Sequence, residues 1–353
     1  MENDQKIDVK SLLPEELAQT VREMGEPAYR ASQLFDWMHR KKAGSFDEMT
    51  NLPRSFREKL RKRTVYTVLN PLRVQVSKLD GTRKYLFELS DGNCIESVFL
   101  PYHHGTSVCV SSQVGCRMGC RFCASTLGGL VRNLSAAEIL DQIYRIEEDT
   151  GERVSNTVVM GSGEPMDNYE NVVRFIRLLS APEGLHMSQR NITVSTCGIV
   201  PGIQRFSREG LQATLALSLH ASDDETRRKL MPIAQRYSIA EILSACGEFF
   251  RLTGRRVSYE YSVAAGVNDT PEAAEKLIRL LRGRHGHVNL IPVNPVTERS
   301  FTEPTREALE RFRAALEKGG LNVTIRREMG RDIDGACGQL RRRYQAEQAG
   351  RES

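Results

Sequence analysis

"TSVCVSSQVGCRMGCRFCAS", Thr106 to Ser125, begins as a β-rich run and ends in a crowd of thiols. Cys116, Cys120 and Cys123 follow a C-x3-C-x2-C spacing, and Cys109 stands apart, seven residues upstream. A strand that opens into a chemistry-bearing loop is the signature of a βα unit, whose active residues sit at the C-terminal ends of parallel strands. The rest of the chain repeats the pattern. "SNTVVMG", "NITVSTC", "ATLALSLH", "RVSYEYSV" and "HVNLIPVNP" read as further strands, spaced about 30 to 45 residues apart as βα units require.

Helices between them carry start signals. Ser135 with Glu138 and Ser238 with Glu241 form capping boxes, and Thr270 precedes Pro271 and Glu272. Six such units predict an α/β fold with a parallel sheet curled into a partial (β/α)6 barrel, although a doubly wound sheet also fits the alternation. Upstream, "EPAYRASQLFDWMHRKK" places Ala31, Leu34, Phe35 and Met38 on one helical stripe. "TNLPRSFREKLRKR" offers Thr50 or Asn51 as the cap of a basic helix. "TRKYLFEL", an Asp91-Gly92 turn and "NCIESVFLP" predict a β-hairpin joining this small helical region to the main body.

The 353 residues are 40% hydrophobic and 27% charged, with a net charge of +5, which describes an ordinary globular chain. No apolar run nears the roughly 18 residues of a membrane span. The opening "MENDQKIDVKSLLPEELAQ" lacks a signal-peptide core, so a cytoplasmic protein without membrane partners is expected. In that compartment eight cysteines point to metal or redox chemistry before structural disulfides. The basic excess concentrates in "RSFREKLRKR" (Arg54 to Arg63), with "RRRY" near the chain's end. Arg54, Arg57, Arg61, Lys62 and Arg63 suit RNA phosphates, or else form a solvated helix face.

Three thiolates without a fourth leave one coordination position open for chemistry. Zinc sites usually pair two C-x2-C units or add histidines, and His103 and His104 stand at no usual zinc spacing. A 4Fe–4S cluster with one iron uncapped by protein is the better reading. "GSGEP" (Gly161 to Pro165), "STCG" after the third strand, "SLH" after the fourth and "NP" after the sixth would converge on the same mouth.

Motif, loop position and strand pattern together resemble the radical S-adenosylmethionine superfamily. There the open iron is chelated by the amino and carboxylate groups of S-adenosylmethionine, and Phe122 matches an aromatic usual before the last cysteine. Gly163 and Glu164 resemble the motif that meets the amino group. Ser195, Ser218, Leu219, His220 and Asn294 match positions near the carboxylate, ribose and adenine. With "RREMGRDIDGACGQL" (Arg326 to Leu340), which contains Cys337, and "CVSSQVGC" upstream, the chain is similar to the RlmN/Cfr family of RNA methyl synthases, closer to its RlmN branch.

The resemblance implies methylation of carbon 2 of an adenosine in 23S ribosomal RNA, and of one in transfer RNA. Cys337 would take a methyl from one S-adenosylmethionine; a radical from a second would abstract hydrogen from it, and the carbon radical would add to adenine. Cys109 would then attack the sulfur of Cys337, releasing product and leaving a transient Cys109–Cys337 disulfide. Glu96 matches the family's proton acceptor, against the plainer reading of an edge-strand surface residue. An external electron donor and a disulfide reductant follow, and a monomer is expected. Carbon-8 methylation, the Cfr-type activity, needs the same residues. A non-catalytic iron–sulfur RNA-binding protein is the alternative from another class. The expected division is a helical RNA-binding accessory domain at 1–65, a β-rich linker at 66–105, the barrel core with its catalytic-cysteine loop at 106–345, and a tail at 346–353. Cys94, Cys197 and Cys246 receive no role, and Cys246 reads as core.

Overall fold

The computed structural model describes residues 6–103, 105–294, 300–334 and 338–349. Three helices come first: α1 (Pro14–Glu23), α2 (Tyr29–His39) and α3 (Arg54–Arg63). The stripe expected on α2 is buried, with Leu34 and Met38 wholly inaccessible and Phe35 nearly so. Each such side chain contributes about 1.5–3 kcal/mol by leaving water. The cap expected for α3 does not form. Pro53 occupies the N-cap position with no side-chain cap, and the Asn51 Oδ1 instead accepts a 2.6 Å bond from Trp37 Nε1.

Ten strands then build one sheet whose spatial order follows the chain. β1 (Asn70–Val76), β2 (Arg83–Glu88) and β3 (Cys94–Tyr102) form an antiparallel meander, which includes the expected hairpin and adds β1 before it. β3 pairs antiparallel with β4 (Gly105–Cys109). From β4 onward every pairing is parallel: β5 (Val154–Val159), β6 (Ile192–Thr196), β7 (Thr214–Ser218), β8 (Val257–Val263), β9 (Gly286–Pro292) and β10 (Val323–Ile325). The six expected strands are all present. The short β10 is an addition, and β10 and β1 are the sheet's edges.

The connections between parallel strands carry α4 (Ala136–Thr150), α5 (Tyr169–Ser180), α6 (Val200–Phe206), α7 (Asp224–Leu230), α8 (Ile239–Thr253), α9 (Pro271–Leu281) and α10 (Arg306–Lys318); α11 (Gln339–Ala349) follows β10. Both capping boxes form, and Thr270 Oγ1 accepts from the Ala273 N–H at 3.2 Å. Parallel strands need such crossovers, and their right-handed sense places every strand's C-terminal end on one rim.

The apolar core runs without a break from α1–α3 into the barrel. Its polar junction is a buried ion pair: Lys10 Nζ lies 2.8 Å from Asp141 Oδ1 of α4 and donates to the Thr67 carbonyl at 2.7 Å. The Leu69 N–H donates to Asp141 Oδ2 at 2.7 Å, so one carboxylate joins the N-terminal segment, the start of the meander and α4. Breaking a buried pair strands the remaining charge at a cost of about 3–5 kcal/mol. We expect Lys10→Met to lower urea-unfolding stability by about that amount; a loss below about 1 kcal/mol would show that the pair is solvated enough to be dispensable.

Candidate active site

After β4 the chain remains buried through Ser111, Ser112 and Gln113. The Ser111 N–H donates to Gln142 Oε1 and its hydroxyl to the Glu96 carbonyl; the Gln113 side chain accepts from the Glu164 N–H at 2.8 Å. A two-stranded ribbon, Gln113–Gly115 against Leu130–Asn133, brackets the cysteine loop at its neck. Gly115 lies at φ +76°, and any Cβ there would meet the Gly129 carbonyl oxygen at 2.0 Å.

Cys116, Cys120 and Cys123 all line a cavity of about 260 Å³ at the C-terminal rim. Gly163, Glu164, Ser195, Ser218, His220 and Asn294 line it too, delivered by the ends of four further strands. Leu219 does not: its side chain is wholly buried in the core, and its backbone bonds to the Glu260 carbonyl and to Arg227. Burial pushes the Cys116 thiol up to about 12 and the Cys120 thiol higher, so protons must leave as a metal arrives. Among the described residues, no three metal-binding side chains converge closely enough to hold a single ion. Three thiols lining one cavity are soft donors of the kind that hold iron–sulfur clusters.

Gly163, at φ +112°, packs so tightly that a Cβ would sit 2.6 Å from Ser112 Oγ. Glu164 is buried, and its carboxylate accepts from the Met166 N–H at 3.1 Å and the Cys197 N–H at 2.8 Å. Burial holds its pKa above the usual carboxylate range. The Thr196 and Cys197 side chains also bond to this carboxylate, which lines the cavity as a buried anionic acceptor. His220 is a strained residue at φ +58°. Its Nδ1 accepts from the Ser262 N–H at 2.9 Å, so the neutral ring carries its proton on Nε2. Burial, then the nearby Arg227 charge, pushes its pKa down to about 3, which keeps the ring neutral at physiological pH. Phe122 meets this ring edge-on, 5.0 Å between centroids. Ser195 and Ser218 place their hydroxyls 3.3 Å apart on neighbouring strands.

Cys197, which the sequence placed at the end of the third strand near the site without a role, also lines the cavity; sequence reasoning missed Glu260 and Ser262, which line it too. Glu260 accepts from Ser258 Oγ at 2.5 Å and Asn289 Nδ2 at 2.8 Å. A Glu in the apolar alternation of "VSYEYSV" was the available signal. Cys246 is core, as expected.

Cys109 is buried but faces a second cavity of about 490 Å³. Ile291, Pro292, Asn294 and Arg326 line both cavities, which therefore share a wall. Cys337 lies outside the described residues. Its flanks do not: the Gly338 N–H donates to Glu96 Oε2 and the Arg341 N–H to Oε1, each at 2.6 Å. Lys84, wholly buried, lies 3.0 Å from Glu96 Oε2 and donates to the Asp334 carbonyl at 2.6 Å. Glu96 is thus no surface residue, and β3 is an interior strand. Its carboxylate and Lys84 hold both sides of the Cys337 segment.

The α3 cations are more engaged than a bare basic stripe. Arg54 pairs with Glu58, Arg57 and Arg61 reach Asp47, and Arg63 donates to the Glu23 carbonyl. Lys62 is exposed on the same helix. Exposed pairs of this kind contribute only about 0–1 kcal/mol, so they exchange readily for phosphate.

Known proteins resemble this chain along nearly its whole length. The radical SAM superfamily signature matches residues 110–281, and the ribosomal RNA large subunit methyltransferase N-terminal domain matches residues 7–65. A protein of Lachnospira eligens named "probable dual-specificity RNA methyltransferase RlmN" is 60% identical over 96% of both chains. One of the same name from Lachnoclostridium phytofermentans is 56% identical, again over 96% of each. The chain belongs to the RlmN family. A crystal structure of a radical SAM methyltransferase from Sphaerobacter thermophilus superposes with a TM-score of 0.90 at 43% identity, covering 94% of this chain and 98% of that one.

RlmN-type enzymes are radical SAM RNA methyltransferases, and their cofactors are a 4Fe–4S cluster and S-adenosylmethionine. The cavity's donor set fits both: three thiols for iron, a buried carboxylate for an ammonium, and hydroxyls and a neutral imidazole for polar groups of a nucleoside. Among the described residues, no helix is long and apolar enough to cross a membrane.

The clamp on the Cys337 segment is testable without turnover. Lys84→Met leaves Glu96 buried without its cation and loosens the segment. Hydrogen exchange at the Gly338 and Arg341 amides should then accelerate at least about tenfold, equivalent to about 1.4 kcal/mol. Unchanged exchange would exclude Lys84 as a clamp.

Proposed function

We propose that this enzyme methylates carbon 2 of an adenosine in 23S ribosomal RNA, and of an adenosine in transfer RNA, through a methylated cysteine and a transient disulfide. The observation that carries the reading is the shared wall between the cavities: Cys109 opens beside the three-thiol site without belonging to its ligand set. The relatives' name, with its "dual-specificity", supports two RNA substrates. Carbon 2 of adenine is electron-poor and cannot attack a methyl group as a nucleophile, so a radical route is required.

When bound in the first cavity, the cluster and S-adenosylmethionine supply a methyl group, a low-potential electron and a hydrogen-abstracting radical. Cys116, Cys120 and Cys123 hold the iron; Gly163, Glu164, Ser195, Ser218, His220 and Asn294 orient the sulfonium cofactor, with the Leu219 backbone behind them. Cys337 carries the methyl to the adenine and becomes joined to it through a methylene. Glu96 accepts the proton released from the ring, beside the Cys337 segment that it also holds, and the odd electron left on the ring would return to the one-electron source that generated the radical, leaving a closed-shell adduct. The Cys109 thiolate then attacks the Cys337 sulfur. An S–S bond forms, the sulfur–carbon bond breaks with its electron pair passing to carbon, and that carbon takes a proton to become the methyl group. A two-electron thiol reductant restores both cysteines, and a separate one-electron donor supplies the cluster. Residues 1–65 present RNA-binding cations, 66–105 link them to the 106–345 core, and 346–353, whose first four residues end α11, form the tail of a monomer.

Anaerobically reconstituted protein, S-adenosylmethionine and RNA test the scheme. Nucleoside mass mapping should find the methyl at carbon 2, and Cys109→Ala should trap a protein–RNA crosslink. A carbon-8 product would reassign the regiochemistry, and RNA binding without any methylation would leave only a binding protein. For the accessory domain, reversing Arg54, Arg57, Arg61, Lys62 and Arg63 to Glu should raise Kd for RNA at least about tenfold and flatten its salt dependence by roughly 0.7–0.9 per lost phosphate contact. An unchanged Kd would make α3 a solvated face.

A further inference from the structure

Arg227, on α7, is wholly buried. Its Nε donates to the Leu219 carbonyl at 3.1 Å, and its Nη2 donates to the Cys197 carbonyl at 2.6 Å and the Ser218 carbonyl at 3.2 Å. These carbonyls belong to the ends of β6 and β7, behind the cofactor cavity. Nη1 has no partner. Among the described residues, no carboxylate lies within ion-pair distance of the guanidinium; Asp224, three residues back on α7, acts on it from farther away.

An unpaired buried cation with an unused donor is costly. The penalty for taking such an ion out of water is several kcal/mol even after relaxation, and the orphaned N–H adds about 1–3 kcal/mol. Carbonyl bonds alone could be made by a neutral amide without that charge. What lies in front of Arg227 supplies a reason for it. Leu230 and Met231, at the end of its helix, pack in one apolar cluster with Cys120 and Cys197, and the Arg121 N–H donates to the Leu230 carbonyl at 2.9 Å.

We infer that Arg227 is the buried counter-charge of the iron–sulfur cluster, with its spare Nη1–H directed at the cluster side of the wall. The inference rests on the three-cysteine cluster assignment. A 4Fe–4S core in its oxidised state, held by three thiolates, carries one net negative charge, and one-electron reduction makes it two. A fixed cation in a low-dielectric wall stabilises the second charge more than the first, so it raises the reduction potential. Net charge and hydrogen bonding near the sulfurs are the levers that proteins use to set such potentials. Arg227 is therefore a positioning and tuning residue; it touches no substrate.

The test is an EPR-monitored reductive titration of anaerobically reconstituted full-length protein, with titanium(III) citrate as the one-electron reductant. Wild type, Arg227→Lys and Arg227→Met would be compared at equal iron content. Arg227→Met should make cluster reduction at least about tenfold less favourable, a fall of about 59 mV in midpoint potential, while Arg227→Lys should retain most of the wild-type value. A Met variant with a full cluster and an unchanged potential would overturn the inference and leave Arg227 as a tie between strand ends.

Should Arg227→Met fail to fold or to hold iron, the wild-type charge can be located directly. Protein grown on arginine labelled with ¹⁵N in the guanidinium, in an Arg117→Lys/Arg121→Lys/Arg326→Lys background that removes the other arginines near the cavity, should show guanidinium coupling to the reduced cluster in pulsed EPR. Absence of that coupling would equally overturn the inference. Wild-type protein that binds no iron would instead refute the cluster assignment itself.

Discussion

The carboxylate of Glu164 is the constraint on which the cofactor mouth depends. It sits after β5, accepts from a backbone N–H in its own loop, and accepts another from Cys197 at the end of β6. Its own N–H is claimed by Gln113, which follows β4. Three successive loops are thereby fixed to one another through a single buried residue. Buried polar groups must be satisfied or they cost more than they return, so this lattice admits little slack. Asn168 extends it, donating to the Ser112 and Leu134 carbonyls at 2.7 and 2.8 Å. The cysteine loop hangs from the stiffened frame.

Buried charge is used in three different ways in this molecule. Lys10 and Asp141 neutralise each other where the N-terminal helices meet α4, and carry backbone groups on both sides of the joint. Lys84 and Glu96 also form a pair, but their remaining bonds go to the chain on either side of Cys337. Arg227 bonds to carbonyls, and among the described residues no carboxylate lies within ion-pair distance of it. The first two arrangements pair a cation with a carboxylate. The third leaves Nη1 without a partner, which the inferred cluster charge would answer.

Function follows from how these devices share a wall. The parallel sheet brings strand ends from distant parts of the chain to one rim, and the antiparallel meander continues that sheet past β4. Cys109, at the end of β4, consequently stands where the parallel and antiparallel parts of the sheet meet, and it opens into the second cavity, which the stretch before Cys337 also lines. The proposed reaction, which uses a radical source and a separate thiol pair, would need the two adjacent but not merged. Ile291, Pro292, Asn294 and Arg326 provide that partition.

Much of this was legible in the residues alone because it is local. A capping box is decided by four consecutive positions, so Ser135–Glu138 and Ser238–Glu241 could be read directly and form as expected. Six parallel strands were visible as short β-branched runs, and the thiol spacing identified the loop that matters. Where a local signal met a competing partner it failed: Asn51 looked like a helix cap but bonds to Trp37, fourteen residues back. Leu219 stood in a polar-looking tripeptide, yet strand alternation turns its side chain into the core. Lys84 and Arg227 gave no local sign at all, being ordinary cations in charged stretches whose partners lie far along the chain. Whether a charge is buried, and against what, depends on which strand ends the sheet places together. Sequence therefore determined the elements and the reactive groups; only tertiary structure decided which charges lost their water and what they hold.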